Sequence, residues 1–151
     1  MKNKSLRYAS LAAVLVLAAV GSAVQASAQQ VRLAARATKT INGIDAQLRG
    51  DYRANGAPQC LNAQLENINL PVGTPVAFCI LQNGVNTLLG RGKVTVVGGV
   101  NVAFVELKIN DGDIVPTVSA GGRLQARQRA TAPFRTNPGC GAEVLVFANF
   151  K

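Results

Sequence analysis

From residue 31 onward, apolar and polar positions alternate with a period of two, the pattern of strands with one buried face. Val31, Leu33, Ala35 and Ala37 alternate with Arg32, Ala34, Arg36 and Thr38. After Asn42-Gly43, residues Ala46, Leu48, Gly50 and Tyr52 alternate with Gln47, Arg49, Asp51 and Arg53. Asn55-Gly56 and Pro58 then break the chain. A third strand is expected over residues 59–69, with Leu61, Ala63 and Leu65 on one face. Its phase slips to Ile68 and Leu70, which predicts a bulge near Asn67.

Leu70-Pro71-Val72-Gly73-Thr74-Pro75 reads as a turn, and residues 76–81 are apolar on both faces, as in a central strand. Asn83-Gly84 signals a tight hairpin into residues 85–89, which Gly90-Arg91-Gly92 interrupts as a turn or bulge. Residues 93–97 and 100–109 read as a hairpin around Gly98-Gly99, with Ala103, Val105, Leu107 and Ile109 facing the core. Asn110-Asp111-Gly112 is a further turn. The last two strands are expected over 123–129 and 142–150. Short strands punctuated by Gly, Asn and Pro, with no sustained helical period, predict an all-β domain. The expected fold is an immunoglobulin-like antiparallel sandwich of seven to nine strands, with a small closed barrel as the alternative.

The N-terminus follows another pattern. Lys2, Lys4 and Arg7 precede an apolar run from Leu11 to about Val20, and Ala26-Ser27-Ala28 supplies a small-x-small site. This order predicts a signal peptide of bacterial type over residues 1–28, cleaved after Ala28. The apolar run is short against the roughly 20 residues of a membrane-spanning helix. Residues 29–151 are then one exported domain, secreted or periplasmic, with no later apolar segment long enough to span a bilayer. Loss of the signal lowers the formal net charge from +9 to +6.

Composition narrows the chemistry. The chain contains no His and no Trp, and beyond residue 28 only Ser119 and Tyr52 represent their types. Without an imidazole, Ser-His-Asp and Cys-His mechanisms have no proton carrier, and His-containing zinc sites are excluded. Cys60, Cys79 and Cys140 permit one internal disulfide in any of three pairings, in keeping with an oxidising compartment. The spare thiol is expected to be buried, the alternative being a link between two chains.

Leu48-Arg49-Gly50-Asp51-Tyr52-Arg53, Glu66-Asn67-Ile68-Asn69-Leu70-Pro71-Val72-Gly73-Thr74, Asn110-Asp111-Gly112, Val115-Pro116 and Gly121 form a recurring set of turn residues. Over roughly Leu48 to Arg127, the chain resembles a group of small secreted bacterial β-sandwich modules with an "NVNLPxGT … NDG … VP … G" pattern and no characterised activity. The resemblance implies a fold and an exported location, and it carries no catalytic residue. The three cysteines and the longer, Arg-rich end depart from the pattern.

The sharpest candidate for binding is Arg123-Leu124-Gln125-Ala126-Arg127-Gln128-Arg129. On a strand, Arg123, Arg127 and Arg129 share one face, with Arg135 following after a short loop. Such a row suits phosphate, sulfate or carboxylate groups, which guanidinium binds bidentately. An acidic polysaccharide, lipopolysaccharide or extracellular DNA would fit. The plainer alternative is a solvated strand face guarding a sheet edge. Stacking on single-stranded nucleic acid needs exposed aromatic rings, and the Phe residues fall mostly at expected core or near-core positions, Phe134 beside Arg135 being the notable exception. Asp111 and Asp113 lie too close together to flank a sugar as acid and base, and their spacing is that of a turn rather than a calcium loop.

The expectation is therefore a non-enzymatic exported module with a structural, adhesive or matrix-associated role, needing no cofactor and partnered by another protein or an anionic polymer. A polyanion-binding module using the arginine row is the second reading. A small enzyme working with carboxylates alone is a distant third.

Overall fold

The computed structural model describes residues 29–55, 58–128, 139–140 and 143–151. The expected signal segment, Arg129, Phe134 and Arg135 lie outside the described residues. Among the described residues nine strands form two antiparallel sheets. Sheet A holds β1 (Val31–Ile41), β2 (Ile44–Ala54), β3 (Cys60–Glu66), β7 (Val100–Lys108) and β6 (Thr95–Val97), in that order across the sheet. Sheet B holds β5 (Val85–Lys93), β4 (Pro75–Gln82), β8 (Arg123–Gln128) and β9 (Glu143–Asn149). The two pack as a sandwich; neither sheet closes into a barrel.

Three of the pairings are two-residue hairpins, and each has both turn residues at positive φ: Asn42 and Gly43 at 50° and 77°, Asn83 and Gly84 at 52° and 76°, Gly98 and Gly99 at 59° and 81°. This is the mirror-image turn whose twist matches that of the flanking strands. It fixes the registers Ile41↔Ile44, Gln82↔Val85 and Val97↔Val100.

The inner faces meet as the alternation requires. Leu48, Leu61 and Leu65 from sheet A pack against Val76, Phe78 and Leu124 from sheet B, with Phe150 closing one end; all are 0–1% exposed. Gly50 sits opposite Leu124 and Phe150, so a Cβ there would collide with Leu124 and press on the Phe150 ring. Tyr52 is buried among these residues, and its hydroxyl accepts a hydrogen bond from Gln59 Nε2 at 3.3 Å.

Several expectations are corrected, among them that Ile109 faces the core: it opens the turn after β7 and is exposed. The phase slip near Asn67 is not a bulge within a strand: β3 ends at Glu66, and Asn67 turns the chain at φ 53°. The turn or bulge expected at Gly90-Arg91-Gly92 is a bulge just before it, and β5 continues past it to Lys93. The irregularity is a register shift opposite Phe78/Cys79 that leaves Leu89 unpaired and turned into the core. Beyond it the chain passes from sheet B to sheet A through fully buried Val94, and Gly92 lies so close to the Phe104 backbone that no side chain would fit. The spare thiol, finally, is not buried. Cys79 and Cys140 form the disulfide and Cys60 is left half-exposed.

The chain end joins the two sheets at one corner. Phe150 exchanges hydrogen bonds with Gly121 and Gly122, and Lys151 exchanges a reciprocal pair with Ala34 of β1, at 3.0 and 3.1 Å.

Candidate functional site

β8 is an interior strand, with β4 on one side and β9 on the other, so its arginines do not guard a sheet edge. Leu124 and Ala126 point into the core, and Arg123, Gln125 and Arg127 point outward as the period predicts. Outward does not mean solvated here. Gln125 is 4% exposed, and its neighbours on the same face, Ala77 and Cys79, are 3% and 0%. The Cys79–Cys140 bond brings the chain at Gly139-Cys140 across this face, and Cys140 is itself buried. Arg123 lies over the Phe147 ring at 4.7 Å, a cation–π contact. Arg127 Nε donates to Gln125 Oε1 at 2.9 Å. Arg91 of β5 faces Ala77 in the register, two strands from Arg127, and donates to the carbonyl of Gly139. The fold thus brings Arg123 and Arg127 together as expected and adds Arg91. Each has a partner: Arg123 the Phe147 ring, Arg127 the Gln125 amide and Arg91 the Gly139 carbonyl.

The outer face of sheet A is open and charged. Strand registers arrange it in rows. Arg32, Arg53, Cys60 and Lys108 form one row across β1, β2, β3 and β7. Ala34, Asp51, Asn62 and Glu106 form the next, followed by Arg36, Arg49, Gln64 and Phe104. Arg36 binds Asp51 through two bonds of 2.9 and 3.2 Å and also donates to the carbonyls of Ala35 and Gly50. Arg49 reaches Glu66 at 3.4 Å, and Lys108 holds Glu106 at 2.8 Å. The Glu106 hydrogen bond and charge raise the Lys108 pKa above 10.5. Every outward carboxylate of the middle rows is therefore claimed by a cation, whereas Arg32 and Arg53 face each other with no carboxylate on either. This cluster was missed from sequence because its members are scattered over four strands.

The remaining acids are mostly occupied in turns. Asp45 accepts from Thr40 Oγ1 at 2.6 Å, and Asp113 accepts the Lys108 backbone N–H at 2.9 Å, closing the turn around Ile109–Asp111. Among the described residues no three acids or cysteines gather as metal ligands would.

A third surface is apolar. No charged residue occurs between Asn67 and Gly90 or between Val94 and Val105. These stretches meet where β6 forms the edge of sheet A. Val94 is covered by bonds to Gly73 and Thr74. Beyond it Thr95, Val96 and Val97 have no further strand beside them among the described residues. Val72, Val96 and Val97 are 57–64% exposed there, beside Val100. Compared with protein-family models, curated proteins and solved structures, the chain matches none.

Proposed function

We propose that the protein is an exported, non-enzymatic module, immunoglobulin-like in its two-layer build, with a structural and adhesive role, and that it associates with copies of itself through β6. The signal-like N-terminus and the Cys79–Cys140 disulfide support export to an oxidising compartment. The observation that carries the adhesive reading is the uncharged edge of an otherwise cationic sandwich. An open strand edge offers unpaired N–H and C=O groups to another strand. Copies with a net positive charge repel wherever arginine meets arginine, and β6 is where no charge is brought together. Antiparallel pairing about Val96 sets Thr95 opposite Val97 of the second copy and Lys93 opposite its Gly99, so the nearest cation meets no like charge.

Sedimentation of the protein recovered from an exporting host tests this. A dimer that grows with concentration is expected, and Val96→Lys, which places two ammonium groups face to face at the symmetry axis, abolishes it. A protein that stays monomeric at every concentration, or a Val96→Lys variant that still dimerises, overturns the reading.

A further inference from the structure

The outer face of sheet A carries a cluster of cations, in contrast to the uncharged β6 edge. Its centre is Ala34, whose methyl group is exposed and leaves the sheet low at that point. Arg32 stands two residues before Ala34 on the same face, and Arg53 lies directly across from Arg32. The reciprocal bonds between Ala34 and Lys151 set these two residues opposite each other, so that the exposed Lys151 side chain joins the same face. Three cations therefore flank Ala34, while Asp51, directly opposite it, is held by Arg36. Arg32 spends one donor on Gln30, and none of Arg32, Arg53 and Lys151 forms an ion pair with a side-chain carboxylate among the described residues. Farther along the row, past Cys60, Lys108 stands two strands from Arg53, about 10 Å away.

Like charges directly opposite each other on a sheet are destabilising. Arg32 and Arg53 form such a pair while the neighbouring Arg36 and Arg49 are each neutralised, so the row is a place of unspent positive charge that an anion would relieve. We propose that it binds an acidic polysaccharide, laid across the strands over Lys151, Arg32 and Arg53, with carboxylate or sulfate groups taken by the guanidinium forks. A flat face with cations at strand spacing suits an extended chain carrying one acid group after another. Nucleic acid fits less well. Among the described residues no element rises from the face to enter a groove, and the exposed Phe104 ring is two rows away from the cations.

The test is binding of alginate, a polyuronate, across a salt series, with neutral dextran and double-stranded DNA as comparisons. Alginate binding that weakens with salt is expected. Arg32→Gln/Arg53→Gln should weaken it about tenfold, the loss of a charge-assisted pair of bonds. Lys39→Gln/Lys93→Gln, which removes the same charge elsewhere, should leave it within about twofold. Cys60 gives a second readout, because it is the free thiol and sits inside the row between Arg53 and Lys108. Saturating alginate should slow its alkylation by iodoacetamide, and dextran should not. No alginate binding, equal losses in the two double variants, an unchanged alkylation rate, or DNA binding with the same strength and the same variant dependence would each overturn the proposal. Sedimentation of Arg32→Gln/Arg53→Gln should match the parent protein, so this surface and the β6 edge stand or fall separately.

Discussion

The two outer faces of the sandwich use arginine in opposite ways. On sheet A, Arg36 and Arg49 are about half exposed and hold carboxylates on neighbouring strands. On sheet B, Arg123 and Arg127 are half-buried, and their partners are an aromatic ring and the amide of a buried glutamine. The difference lies in what covers each face. Nothing described lies over sheet A, so its charges keep their water and their interactions are screened. Sheet B is crossed at Cys140, which leaves Cys79, Ala77 and Gln125 without solvent. There, a guanidinium contributes through its stem and its flat face as much as through its charge. An outward-pointing arginine is thus an ionic surface residue on one sheet and a packing residue on the other.

The strongest way to break this contrast is to remove the staple. Cys79 and Cys140 are 61 residues apart, and closing a loop of that length is worth about 4 kcal/mol. Cys79→Ala/Cys140→Ala should lower the urea unfolding free energy by about that amount. Arg49→Ala on the open face should stay within about 0.5 kcal/mol of the parent. Equal losses from the two faces would mean that the cover over sheet B contributes little and that the two arginine sets are equivalent.

Gln125 sharpens the same point at a single residue. Its Oε1 accepts from Arg127 Nε in a site with almost no solvent. Gln125→Leu keeps the volume but leaves that donor to find another partner, and should cost about 1–3 kcal/mol by denaturant titration. Gln64→Leu, at a half-exposed outward position of β3, should cost far less. If the Gln125 variant is as stable as the parent, the covered face is wetter than its burial implies.

Both faces were legible to different depths. The period-two pattern placed Arg123, Gln125 and Arg127 together on the outside of one strand, and the Asn-Gly and Gly-Gly pairs located the hairpins. Each signal is local, a matter of adjacent residues and the dihedral angles they tolerate. What covers a strand is not local. Gln125 is polar and alternates correctly, yet it is buried beside Cys79, whose disulfide partner lies 15 positions further along. The row Arg32, Arg53, Cys60 and Lys108 depends on three registers at once, none of which a single strand encodes. Gly90-Arg91-Gly92 has the composition of a break, but these glycines are there to let β5 pass Val105 and the Phe104 backbone without a side chain in the way.

A smaller effect of opposite sign is expected on sheet A. Arg53→Gln removes one member of a like-charge cross-strand pair that forms no ion pair, the neighbouring Asp51 being held by Arg36. It should raise the melting temperature slightly, equivalent to a few tenths of a kcal/mol (about 0.2–0.5). The gain should shrink in high salt as the repulsion is screened. On sheet B the matching change, Arg123→Gln, forfeits the contact with Phe147 and should lower stability at any salt concentration. The open face would then differ from the covered one in the sign of an arginine's contribution as well as in its size.

The least of these effects concerns Lys108, and it tests whether the charges of sheet A act through protonation alone. Its partner Glu106 raises the ammonium pKa above 10.5 in the folded protein. A raised pKa means that the folded state holds the proton more tightly than the unfolded chain. The resulting stability is fully present below the unfolded pKa and disappears as pH climbs through the folded one. Glu106→Gln removes the cause. The melting temperatures of the parent and of Glu106→Gln should therefore differ slightly at neutral pH and converge once the pH passes well above 10.5. A gap that persists there would show that Glu106 supports the sheet by packing rather than by charge. The division between an ionic open face and a packed covered face would then be less sharp than the burial of their residues suggests.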